Sequence, residues 1–380
     1  MSVLVLQGGG ALGAYQCGAF EALARAAQQP DWVAGISIGA INAALIAGNP
    51  PERRVRRLQD FWQRVTGSVP SLPWTAAEGP LRLWANDWAA AWGVAFGLPA
   101  FFQPRPGAAL WPGECERPSL YDTEPLRATL LELIDFDRLN DGPTRLSVGA
   151  VDVQSGNFVY FDNRERRIGP EHIMASGALP PGFPAVMVDG RAYWDGGLVS
   201  NTPLQHVVEH IGGNAATIFQ IDLFNARGAV PRTLAQVADR EKDIRFSSRT
   251  RAVTDRLHER HDLHQRIRAL AALLPPARHA DPRVQQMLAA TDDTAITLVH
   301  LIHRHKGSET QTRDYEFSRA SMQEHWQVGH ADMAHSLHCL AAAKAKPETG
   351  VFRVFDYTRP DPQSTQPTCP RTREPDHDRR

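Results

Sequence analysis

Two glycine-rich turns stand one β-α unit apart at the start of this chain, and they constrain its fold more than any other feature. The first, Gly8-Gly9-Gly10-Ala11-Leu12-Gly13, follows the apolar run Val3–Leu6. The second, Gly35-Ile36-Ser37-Ile38-Gly39, follows another apolar run and leads into Ala40-Ile41-Asn42-Ala43-Ala44. The pattern predicts strands over Val3–Leu6 and Trp32–Ser37 and helices over Ala11–Ala26 and Ile38–Ala47. Strand, helix, strand, helix with short connections implies a mainly parallel sheet layered by helices. Further strands are expected at Arg145–Val151, Phe158–Phe161 and Thr217–Asp222.

The first turn permits two chemistries. Gly8, Gly10 and Gly13 satisfy the G-x-G-x-x-G spacing of a dinucleotide site. Such a site wants an acidic residue at the end of the second strand to hold a ribose, and Asp31 stands at that strand's start. The second turn points elsewhere. A G-x-S-x-G placed where a strand turns sharply into a helix presents its serine above the sheet. Residues two before and two after must then lack bulk. The following helix aims N–H groups and its positive dipole end at the place where an oxyanion forms. Acyl transfer through Ser37 is therefore preferred to nucleotide binding. An ordinary α/β-hydrolase fits less well, because its serine follows several strands and its triad needs a placed histidine.

The stretches QGGGALG, GISIG and Tyr193-Trp194-Asp195-Gly196-Gly197 resemble, in order, the three signatures of patatin-like phospholipases. The resemblance covers about residues 3–222, and Ala175–Val186 and Val199–Leu204 look like the family's loops around its aspartate. It implies a three-layer α/β sandwich and a serine–aspartate dyad, with Ser37 as nucleophile and Asp195 as proton acceptor. The oxyanion hole would come from Gly8, Gly9 and Gly10, chiefly the last two, with Ile38 assisting. Gly13, Gly35, Gly39, Gly196 and Gly197 are the accompanying motif glycines. The implied substrate is an acyl ester of a phospholipid or neutral lipid, cleaved through an acyl-enzyme without metal or cofactor. One departure is Leu12, where the family commonly carries Arg or Lys. Two rivals stay open: an esterase or thioesterase for small or polymeric hydroxyacyl esters, and a weakly active lipid-binding scaffold. Ile221–Arg251 also resembles part of a C-terminal domain of unknown role attached to a bacterial subgroup of the family.

An aspartate with an ordinary pKa near 4 is a poor base for a serine hydroxyl. Desolvation raises its basicity, and Asp195 lies among Ala192, Tyr193, Trp194, Leu198 and Val199. Alone, Asp-Gly-Gly reads as a β-turn; beside Ser37 and the glycine loop it reads as a base presented by a turn.

Composition removes whole classes. With a net charge of -1, no global field draws the chain to nucleic acid. Cys17, Cys115, Cys339 and Cys369 show no metal or framework spacing, which fits a reducing compartment. No apolar run approaches the roughly 20 residues of a spanning helix and no signal-peptide pattern opens the chain. The expected setting is cytoplasmic, with peripheral contact to a lipid surface left open. The expected organisation is a catalytic domain over 1–222, a mainly helical region over 223–358 and a disordered tail over 359–380. An insertion over about 71–118, carrying Trp74, Trp84, Trp88, Trp92 and Trp111, reads equally as lipid-facing cap or packed subdomain. The arginine-rich helix over Leu234–Leu274 reads as an exposed face. His300, His303 and His305 read as solvated, and His172 and His206 as structural. Head group, acyl position and oligomeric state are not encoded legibly.

Overall fold

The opening apolar run becomes β1 (Ser2–Leu6) at the heart of a sheet, in a computed structural model that describes residues 1–70, 79–106, 118–211, 215–291, 294–304, 311–342 and 352–357. The glycine loop leads into α1 (Gly13–Arg25), then β2 (Trp32–Ile36), α2 (Ile38–Ala47), α3 (Pro51–Val65) and α4 (Pro80–Phe96). A small β3 (Gln103–Pro104) and β4 (Tyr121–Asp122) pair antiparallel before α5 (Glu124–Leu133) and α6 (Phe136–Asp141). There follow β5 (Arg145–Asp152), β6 (Phe158–Asp162), α7 (Pro170–Ser176), β7 (Val186–Val188), β8 (Arg191–Asp195), α8 (Leu204–His210) and β9 (Ala215–Asp222). The chain continues through α9 (Leu234–Ala272), α10 (Pro276–His279), α11 (Pro282–Ala289), β10 (Ala295–Ile302), α12 (Arg319–Ala342) and β11 (Phe352–Phe355).

The strands β11-β10-β9-β1-β2-β5 run parallel in that order. Their neighbours β6, β7 and β8 join antiparallel. Alternation along β1 splits the core into two. Leu4 and Leu6 face one cluster with α1, α2, α3 and α12, whereas Val3 and Val5 face another with α8 and Leu257 of α9. With both faces covered, the inner strands are apolar at nearly every position. This is a three-layer α/β fold with a mainly parallel sheet.

The region after Asp222 is mainly helical, and it also extends the sheet: β10 pairs with β9 along its full length and carries β11 beyond it. Helix α12 packs on α1 so closely that a Cβ on Gly18 would collide with the Trp326 carbonyl, and one on Gly329 with the Tyr15 carbonyl. One expectation needs correction: His300 and His303 are not solvated. His303 is buried, and the half-buried His300 contacts Asp222 at 2.5 Å, because β10 lies inside the sheet and not on a free helix face. His305 lies outside the described residues.

Helix α9 joins Leu257 to the core while its charges pair with other segments, as in Arg260–Glu209 and Lys242–Asp314. In the insertion, Trp88 and Trp92 pack inward whereas Trp84 and Phe96 are exposed. Trp74, Trp111, Cys115, Cys369 and the tail 359–380 lie outside the described residues. Cys339 is disulfide-bonded, whereas Cys17 is a buried free thiol. Among the described residues no helix is long and apolar enough to cross a membrane.

Candidate active site

Ser37 sits between β2 and α2 at φ 55, ψ −123, a backbone region that a side chain makes costly. Local crowding imposes that turn. A Cβ on Gly35 would run into the Gly39 carbonyl, and one on Gly39 into the carbonyl of Leu6. Helix α2 therefore starts hard against the end of β1. That brings Ser37 beside the glycine loop: a Cβ on Gly8 would stand 3.1 Å from that of Ser37.

Asp195 arrives from far along the chain, and β5 decides where it lands. One edge of β5 pairs with β6; its other edge is shared in succession by β2 and β8. Ile36, the last residue of β2, is opposite Gly149, and Asp195, the last of β8, is opposite Ala150. The two strand ends meet head to head, so the residue after Ile36 lies next to Asp195. The Ser37 hydroxyl lies near enough to the Asp195 carboxylate to lower its pKa. The Gly197 N–H donates to the Asp195 carboxylate at 2.7 Å. Burial nevertheless dominates and pushes the Asp195 carboxyl up to about 6, although the Ser37 hydroxyl and the Gly197 hydrogen bond pull it down. Among the described residues no histidine hydrogen-bonds with either group. His172 accepts the Gly169 N–H and His206 stacks on Tyr160.

The glycine loop divides by role. Gly8 is buried and its N–H is spent on the Asn201 carbonyl at 3.1 Å, so it does not offer a donor to a ligand. This corrects its place among the expected donors. Gly9 and Gly10 are half-exposed, and their N–H groups make no backbone hydrogen bond within the described structure. Ile38 opens α2, whose first N–H groups lack helical acceptors. Leu12 is fully buried in the main core, which makes that position a packing site here. Gly13 lies against Ile38 and Trp62, and Gly196 against the Gly149 carbonyl.

Two residues escaped sequence reasoning. Ser176 is fully buried; its Oγ accepts the Ser37 N–H at 3.0 Å and donates to the Gly149 carbonyl at 2.6 Å. Two residues on, the Ala178 carbonyl accepts the Asp195 N–H at 3.0 Å, so one short turn after α7 grips both halves of the pair. Asn201 donates its side-chain amide to the Gly8 carbonyl at 2.9 Å while its carbonyl takes the Gly8 N–H. Both lie in stretches that resemble family loops, but nothing local marks which polar atom each one holds.

The arrangement joins a strained serine, a buried carboxylate of raised basicity and two N–H groups without a backbone acceptor among the described residues. The family model of patatin-like phospholipases matches residues 4–208, and a model described as patatin phospholipase matches residues 244–348. No curated protein sequence matches. Among solved structures, VipD from Legionella pneumophila is similar at 14% identity, with 87% of this chain and 66% of that chain covered and a TM-score of 0.31. A chain from the complex of full-length SpcU with full-length ExoU, of the type III secretion system of Pseudomonas aeruginosa, shows 17% identity, 75% and 60% coverage and a TM-score of 0.25. This chain thus spans just under two thirds of those chains' lengths. The first family match alone takes in more than half of the sequence and contains both Ser37 and Asp195, and on it the chain belongs to the patatin-like phospholipases.

Proposed function

We propose that this protein is a serine acyl hydrolase that cleaves acyl esters of lipids through a Ser37–Asp195 dyad. One observation carries the reading: pairing along β5 sets Ser37, on its strained turn, beside Asp195, the buried carboxylate whose basicity burial raises. In the first half-reaction Asp195 takes the Ser37 Oγ proton as Oγ attacks the ester carbonyl. Negative charge collects on the carbonyl oxygen, facing the Gly9 and Gly10 N–H groups and the start of α2. The C–O bond to the alcohol breaks, and Asp195 returns the proton to the leaving oxygen. Water then gives a proton to Asp195 while its oxygen attacks the acyl-enzyme; the C–Oγ bond breaks, Asp195 passes that proton to Ser37 Oγ, and the fatty acid leaves.

Exposed apolar side chains beside the dyad support a lipid over a small polar ester. Leu198 follows the Asp195 turn and is 43% exposed; Leu179 follows Ala178 and is 39% exposed. The Leu120 N–H donates to the Pro181 carbonyl and the Tyr121 hydroxyl to the Val94 carbonyl, which ties the loop of Leu179 to exposed Leu120 and to α4 with its exposed Phe96. Exposed apolar side chains gathered beside a site favour an apolar ligand.

The test is hydrolysis of p-nitrophenyl esters of increasing chain length and of defined phospholipids by wild type, Ser37→Ala and Asp195→Asn. Loss of about 10³-fold or more in kcat is expected for both variants, with preference for longer acyl chains. Turnover surviving in Ser37→Ala overturns the nucleophile. A preference confined to the shortest esters favours the esterase reading, and a folded wild type inert on every ester favours the scaffold.

A further inference from the structure

The C-terminal region reaches back across the sheet and touches the glycine loop at one place. Asp314 accepts the Ala11 N–H through its main-chain carbonyl at 2.8 Å. The same carbonyl lies where a Cβ on Gly10 would be, and Gly10 itself is held at φ +55. Leu223 and Phe224, just past β9, close on Gly9. The loop that carries the Gly9 and Gly10 N–H groups is thus bounded by β1 on one side and by the segment Gln311–Ser318 on the other.

That segment is pinned on both sides of Asp314. Lys242 of α9 donates to the Asp314 carboxylate at 2.6 Å and to the Gln311 carbonyl at 2.7 Å. The Arg313 side chain is buried between Asp239, at 3.1 Å, and Asp243. Phe317 stacks on Trp62 of the main core. Thr312 donates to Asp87 of α4, and Arg319 to Thr66 and the Gln63 carbonyl at the end of α3.

We infer that Gln311–Ser318 is a positioning strap for the oxyanion loop, set by the Lys242–Asp314 ion pair. This assigns a task to the region matched by the second family model, and it rests on the reading of Gly9 and Gly10 as oxyanion donors. The physical reason is preorganisation. Backbone donors stabilise a developing oxyanion only if already aimed at it, and displacement by about 1 Å can cost about 100-fold in rate. With Asp314 withdrawn, the Ala11 N–H loses its acceptor and Gly10 loses the contact that fixes its turn.

The experiment uses the full chain and a charge swap: Lys242→Asp, Asp314→Lys and the double variant, beside wild type and Ser37→Ala. Readouts are kcat and KM on a p-nitrophenyl ester, the rate of Ser37 labelling by a fluorophosphonate, and far-UV circular dichroism. Each single reversal is expected to lower kcat and labelling about tenfold with KM within about twofold. The double variant is expected to recover to within about threefold of wild type. Wild-type kcat in a folded Lys242→Asp, a change in KM alone, or a double variant no better than the singles overturns the strap. Should Lys242→Asp not fold, Lys242→Met decides: a threefold or larger loss in kcat sustains the inference, and wild-type kcat ends it. Turnover persisting in Ser37→Ala removes the underlying reading and the strap with it. A dead Ser37→Ala beside a fully active Lys242→Asp removes the strap alone.

Discussion

Ser37 and Asp195 meet at one edge of β5, yet each is held under a different kind of strain. Ser37 carries its cost in the backbone: positive φ, neighbours without Cβ atoms, and an N–H held by Ser176. Asp195 has an ordinary backbone, at φ −51, ψ 130, and carries its cost as a carboxylate buried with 2% exposure. One strain is steric and indifferent to pH; the other is electrostatic and vanishes on protonation. The difference teaches that the two halves of this site respond to different perturbations.

The largest separation should come from Asp195→Asn. The folded-state pKa of Asp195 is raised to about 6, against about 4 in an unfolded chain. Below about pH 4 the group is protonated in both states and costs nothing. As pH rises through the folded pKa, stability is lost, reaching about 3 kcal/mol for a shift of about two units. Asp195→Asn should therefore be more stable than wild type at pH 8 by about 2–3 kcal/mol, with the gain gone at pH 4, as urea midpoints at the two pH values would reveal. In wild type, kcat/KM should fall below about pH 6 as the base becomes protonated. A pH-independent stability difference would show that the strain at Asp195 is not electrostatic.

Ser176→Ala tests the steric half. It leaves the Ser37 N–H and the Gly149 carbonyl without their partner, at about 1–3 kcal/mol. It should lower kcat about tenfold with little change in KM. A variant with unchanged kcat would mean that the elbow holds its shape without this support.

The smallest effect compares two inactive proteins. Ser37→Gly removes a side chain from a backbone region that disfavours one, whereas Ser37→Ala keeps the penalty. Ser37→Gly should be the more stable by about 1 kcal/mol, after the greater unfolded-state freedom of glycine offsets part of the relief. Thermal unfolding with Ser37→Ala on top would remove the claim of backbone strain.

Legibility followed the same division. The Ser37 turn was readable because its glycines answer to atoms a few residues away or to the end of the preceding strand. Asp195 and its pairing with Ser37 were readable only through the resemblance to the family's ordered motifs, because Asp-Gly-Gly by itself specifies a turn and not a neighbour. Gly8 shows the limit within a motif. Its letters match its neighbours', yet Asn201 takes its N–H, whereas those of Gly9 and Gly10 make no backbone hydrogen bond among the described residues. The strand β10 was missed because its His300, with His303 and Arg304 just beyond, gives it a polar look, although folding hands His300 a partner in Asp222.

By itself the sequence determined the opening β-α-β-α rhythm, the strained serine turn and the family's order of motifs, since these depend on local backbone preferences and on where a Cβ has room. Tertiary structure decided that β2 and β8 end against consecutive residues of β5, that Ser176 and Asn201 hold the turns, and that Asp314 closes over the glycine loop. Those outcomes depend on register and packing between segments far apart in the chain, where a single polar atom gains its meaning only from the partner that folding brings to it.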